Sequence, residues 1–219
     1  VAIEIVDIDA EVLKVASDLF QLQTGDGIRT TAADGRMFLR RSRERYDAIL
    51  LDAFSIGGRI PFHLVTQEAF QLYHDRLEPD GVLVMNLISG LEGPKGEIFR
   101  AIHRTVSAVF PRVHVFAVGR GEISASESTN VMLVATPADR AISPQEWRDL
   151  AAQYESTSTV PGDRLRELTR DLLDPLPDLT GAALLTDDYA SRNDEVLAGL
   201  PVVGGPDDAA RQSVLLDEL

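Results

Sequence analysis

Three strand-like runs, each closed by an aspartate, punctuate the first part of the chain: VAIEIVD ends at Asp7, IRTTAAD at Asp34 and YDAILLD at Asp52. Helical patterns lie between them. Val12, Leu13, Ala16, Leu19 and Phe20 make an apolar stripe over residues 10–22, with Asp9 placed to cap it. Asp34 precedes a second helix that carries Met37, Phe38 and Leu39 and ends in the basic run RRSRER, which suits a helix C-terminus. Beyond Asp52 the pattern predicts a helix over 66–77, a turn at EPDG and a strand over 82–88 that is apolar but for Asn86. A helix over 97–110 follows, then two successive strands over 113–118 and 131–135, joined by a polar, hairpin-like loop. Strands alternating with helices, closed by a hairpin, predict an α/β fold: a doubly wound, mostly parallel sheet with an antiparallel C-terminal edge hairpin.

The texture changes after Pro137. The expected organisation is a core over 1–137 and a helical and irregular extension over 138–219, ending in an acidic tail that frays. Within the extension, Ser143 caps a helix with Pro144 at its first position, and a second short helix spans 163–173. The chain has 219 residues, 44% hydrophobic and 26% charged, enough for a packed core. Its net charge of -14 argues against a general nucleic-acid binder and suits a cationic partner, although an acidic surface also serves solubility. With no cysteine, disulfides and thiolate metal sites are excluded. The four histidines show no metal spacing, and no metal is expected. There is no apolar run of membrane-spanning length and no basic-then-apolar leader, so the expectation is a cytoplasmic protein with no membrane segment in this chain.

In open parallel sheets, ligands bind beyond the carboxyl ends of the strands, where Asp7, Asp34 and Asp52 all stand. Each also has a plain structural reading as a cap or a solvated strand end. His63, beyond Asp52, is a candidate general base or a local hydrogen-bonder. Ser55 lacks the context of a hydrolase nucleophile, since FSIGG is not G-x-S-x-G. Asp187, Asp188 and Tyr189 form a late polar cluster that either folds back over the site or ends a strand. No glycine-rich turn follows the first strand: GDGIRT leads into a strand, and GRGEIS lies between two. The expected sheet therefore lacks its first βα unit, and the start at Val1 suggests a segment upstream.

The ordered set VDIDAEV (6–12), AADGRMFL (32–39), YDAILLDAFS (46–55) and LEPDGVLVMN (77–86) resembles the spermidine synthase, or polyamine aminopropyltransferase, family. IPFHLVTQEAF and LLTDDYA are similar to its spermidine-synthase-like branch. The resemblance implies a Rossmann-like fold of the class I methyltransferase superfamily. It also implies a transferase that uses S-adenosylmethionine or its decarboxylated form as co-substrate to aminopropylate an amine or polyamine. Asp7 takes the place of the acid that holds the ribose, and Asp34 with Gly35 matches the pair that reads the adenine. Asp52 matches the first acid of the amine-binding loop, while Ser55 stands where that loop has its second acid. In this superfamily the first strand is central, so its loss leaves a gap between the strands ending at Asp7 and Asp52. A homodimer belongs to the same expectation. The alternatives are a catalytically degenerate nucleoside-binding or regulatory module and a small-molecule methyltransferase.

Overall fold

The computed structural model describes residues 1–54, 60–119, 127–157, 159 and 163–188. They fall into two compact units, Val1–Arg45 and Tyr46–Leu219.

The first unit runs β1 (Ile3–Asp7), α1 (Ala10–Phe20), β2 (Ile28–Ala32) and α2 (Gly35–Arg41). β1 and β2 are parallel, in register from Ile3 opposite Ile28 to Asp7 opposite Ala32. Asp9 caps α1, its side chain accepting from the Glu11 N–H. The helix stops two residues short of the predicted end, because Gln21 turns left-handed (φ 59°) and the Leu22 N–H bonds back to the Ala16 carbonyl. Entry to β2 needs Gly27: its φ is +101°, and a Cβ there would lie 2.7 Å from the Val1 carbonyl oxygen. Glu4 sits mid-strand with one oxygen accepting from Arg29 Nε (2.8 Å) and the other from Thr31 Oγ1 (3.0 Å). The Arg29 hydrogen bond is the main reason its pKa lies below the usual carboxylate range. The predicted stripe on α1 is only half covered. Leu13 and Ala16 are half-buried, whereas Leu19 and Phe20 are 73% and 78% exposed. A two-stranded ribbon offers too little surface to cover the whole helix face.

The second unit runs β3 (Tyr46–Leu51), α3 (Gln67–Arg76), β4 (Leu77–Ser89), α4 (Glu97–Ser107), β5 (Arg112–Ala117), β6 (Thr129–Thr136), α5 (Pro144–Glu155) and α6 (Asp163–Arg170). Its sheet order is β3-β4-β6-β5. β3 and β4 are parallel, and β6 is antiparallel to both of its neighbours. The expected hairpin is present, but its antiparallel strand lies inside the sheet and β5 is outermost. The chain crosses from β4 through α4 to a parallel β5, then folds back so that β6 fills the place between them. Among the described residues no ladder joins β1-β2 to this sheet.

EPDG is not a turn between elements. It lies within β4 as an irregularity: two steps along β3, from Tyr46 to Ala48, oppose five along β4, from Leu77 to Val82. Gly81 makes this possible, since a Cβ there would meet the Glu78 and Tyr46 carbonyl oxygens at 2.9 and 3.0 Å.

The core is built on the strict alternation of β4, which buries Leu83, Met85 and Leu87, and of β6, which buries Val131, Leu133 and Ala135. α3 adds Phe70 and Tyr73, and α4 adds Phe99, Ile102 and Val106. His103 is in the same core, 2% exposed and stacked on Phe99 at 5.6 Å, and burial pushes its pKa down to about 4. On β5, His114 and Phe116 meet Trp147 of α5 edge-on, both at 5.3 Å. α5 opens with the cap and proline foreseen from sequence, completed as a capping box by Glu146. Among the described residues no helix is long and apolar enough to cross a membrane.

Candidate functional site

In the first unit, the parallel pairing brings Asp7 and Asp34 to one sheet edge. Asp7 closes β1 opposite Ala32, and its carbonyl accepts from the Ala33 N–H, one residue before Asp34. Asp7 Oδ1 accepts from the Asp9 N–H at 2.8 Å, which turns the chain toward α1. The cap of α1 is Asp9, so the structural role open to Asp7 is this turn. Asp34 is the N-cap of α2, with Oδ1 accepting from the Met37 N–H at 2.8 Å. Gly35 opens that helix, and the position of a Cβ there has nothing within 4 Å, so packing does not demand glycine. The edge thus offers carboxylate acceptors, a helix N-terminus and open space next to a glycine. That set fits the hydroxyls of a ribose and a planar base approaching the backbone.

In the second unit, Asp52 is exposed just beyond Leu51 at the carboxyl end of β3. Leu51 is opposite Met85, which places Asn86 beside Asp52, and Asn86 Nδ2 donates to Asp52 Oδ1 at 3.1 Å. His63 lies exposed in the short 3-10 turn Phe62–Leu64. Ser55 falls outside the described residues, as does Tyr189.

The late segment folds back, and it is not a strand: residues 182–186 are irregular and 187–188 are helical. Residues 182–188 are tied to the first turn of α3 and to α4. Arg104 donates to the Ala182 carbonyl, and the Leu185 N–H donates to the buried Thr105 hydroxyl at 3.0 Å. The Gln67 N–H donates to the Leu185 carbonyl at 2.8 Å. Thr66, fully buried, both caps α3 through Ala69 and donates to Asp187 Oδ1 at 2.7 Å. The Asp187 N–H completes the tie by donating to Glu68 at 3.0 Å. α3 follows the loop that leaves β3, so this tie belongs to the carboxyl-edge side of the sheet, as Asp52 does. Asp187 and Asn86 both stand out in the sequence, but nothing in it names a partner for either. The available signal for Asn86 was its polarity in an otherwise apolar strand. Thr66 gave only the signal of a helix cap.

The family model described as the spermine/spermidine synthase domain matches residues 1–120. A "Probable polyamine aminopropyl transferase" of Bifidobacterium longum is 34% identical over 105 residues, covering 48% of this chain and 23% of that protein. An "eEF1A lysine and N-terminal methyltransferase" of Bos taurus is 26% identical over 170 residues, covering 73% of this chain and 23% of that protein. The chain therefore spans about a quarter of the length of these relatives. The crystal structure of a probable spermidine synthase from Corynebacterium glutamicum aligns with a TM-score of 0.60 at 19% identity, over 93% of this chain and 66% of that one, and shows the fold to be Rossmann-like.

Proposed function

Because the chain belongs to the spermine/spermidine synthase family, we propose that it is a transferase that binds S-adenosylmethionine or its decarboxylated form and aminopropylates an amine. The observation that carries this reading is the family match over 1–120, which takes in Asp7, Asp34 and Asp52 in order. In this reading Asp7 accepts from the ribose hydroxyls, and Asp34 with Gly35 meets the adenine edge. The nucleoside-binding core spans 1–137, with 138–219 as its extension. Asp52 holds the acceptor amine by its N–H groups and favours its approach in line with the reacting carbon. The sulfonium, when bound, supplies an electrophilic carbon: the lone pair of the unprotonated amine forms the C–N bond while the C–S bond breaks and its electron pair leaves on a neutral thioether, the positive charge passing to the nitrogen, which then gives a proton to water. Ser55, a neutral hydroxyl where the family carries its second acid, neither neutralises an ammonium nor takes its proton at neutral pH. The amine therefore depends on Asp52 more heavily than in a two-acid loop. An amine or polyamine acceptor, a homodimer and a cytoplasmic place of action belong to the same reading.

A second reading, methyl transfer, is favoured by one observation. The similarity to the bovine methyltransferase covers 73% of this chain, more than the aminopropyltransferase similarity does. Product analysis separates the two. Aminopropyl transfer to a diamine releases methylthioadenosine, and methyl transfer leaves the amino-acid tail on the departing thioether. Calorimetry with both nucleosides comes first: tight binding of the decarboxylated form with methylthioadenosine release supports the proposal. Binding of neither nucleoside, with no product, overturns both readings.

A further inference from the structure

Asn86 is the polar exception in a strand whose neighbours are Val84, Met85, Leu87 and Ile88. Its amide nitrogen donates to Asp52, while its Oδ1 is buried with no hydrogen-bond partner. An unpaired buried acceptor costs stability, and an apolar side chain of the same size would remove the cost. Nor does flipping the amide help, because Oδ1 would then face a carboxylate, which has no proton to give. The amide is oriented by Asp52 at the expense of its own acceptor. Such a broken local rule inside the regular, alternating part of β4 marks a group kept for the site and not for packing.

We infer that Asn86 is a positioning residue for Asp52, holding one carboxylate oxygen so that the other is presented to an N–H-bearing, cationic acceptor. The inference rests on the amine-transfer reading and narrows it. Among the described residues Asp52 makes no other hydrogen bond, so Oδ2 is left for the ligand. Asp52 is exposed, and unheld its carboxylate would sample several rotamers. One of the two N–H groups of Asn86 is given to Asp52, and the carboxylate makes the face shown to the ligand negative. A primary ammonium fits that face; a carboxylate or phosphate acceptor does not.

The test uses the full 219-residue chain, saturated with methylthioadenosine, and titrates it with 1,4-diaminobutane in a calorimeter. The proteins are wild type, Asn86→Leu, Asp52→Asn and the double variant, with Asn86→Ala as the substitute where leucine disturbs folding. The expected result is that Asn86→Leu weakens diamine binding about tenfold, leaves nucleoside affinity unchanged and keeps or raises the thermal midpoint. In the Asp52→Asn background it adds no further loss, because its effect passes through that carboxylate. An equal loss in both backgrounds, an unchanged diamine affinity or a wild type that binds no diamine overturns the inference. Nucleoside binding and product release report separately on the transfer reading, so either can fail alone.

Discussion

Asp34 carries two loads that can be separated. Its carboxylate caps α2 through the Met37 N–H, and in the proposed site it also meets the base. Serine retains a capping oxygen but loses the charge; alanine loses both. Asp34→Ala is expected to lose about 1 kcal/mol of stability in urea unfolding, the ordinary value of an N-cap. Asp34→Ser should recover most of it, yet both variants should bind nucleoside more weakly than wild type. Full nucleoside affinity in Asp34→Ser would reduce Asp34 to a cap. At this scale the sequence showed the strand-end acids plainly, because an acid after an apolar run is a local signal. It did not show what each carboxylate touches. Asp52 and Asn86 are 34 residues apart and Thr66 and Asp187 are 121 apart, and pairings at such separations follow from strand register and chain return, which no local pattern encodes.

Elements were legible wherever period and cap agreed. β3 matches its predicted bounds, and α5 starts at its predicted cap. The misreading at EPDG has a clear cause: proline, aspartate and glycine in a row are strong turn signals, and only the partner strand reveals that the irregularity is absorbed within a ladder. Gly81 is the residue on which that depends. The atoms a Cβ would meet there, Glu78 O and N and Tyr46 O at 2.9, 3.1 and 3.0 Å, are backbone and cannot swing aside. Gly81→Ala is therefore expected to cost roughly 1–3 kcal/mol, measured as a lower urea midpoint. An unchanged midpoint would mean that the bulge yields freely. The α1 stripe shows the limit of periodicity: it tells which residues share a face, but the amount of surface available to cover that face depends on the rest of the unit.

For the whole molecule, the buried histidine ties stability to pH. His103 has a folded pKa of about 4 against an ordinary 6.5, because burial disfavours the imidazolium. The unfolded chain therefore binds a proton that the folded chain refuses. The stability this represents is complete above about pH 6.5 and is lost progressively as pH falls toward 4. The shift corresponds to about 3 kcal/mol at most. His103→Leu, of similar volume, should flatten the fall in urea midpoint across that window; an equally steep fall in the variant would place the acid sensitivity elsewhere. The order of the second sheet has a different kind of consequence. Within the four-stranded ladder β5 pairs with β6, which is made later in the chain. As the protein leaves the ribosome, β5 emerges with no strand to receive it, and β4 waits with one side open until Thr129–Thr136 has followed. A chain cut at residue 120, where the family match stops, would keep that outer strand without its anchor, so the span that defines the family by similarity is shorter than the span that can close this sheet.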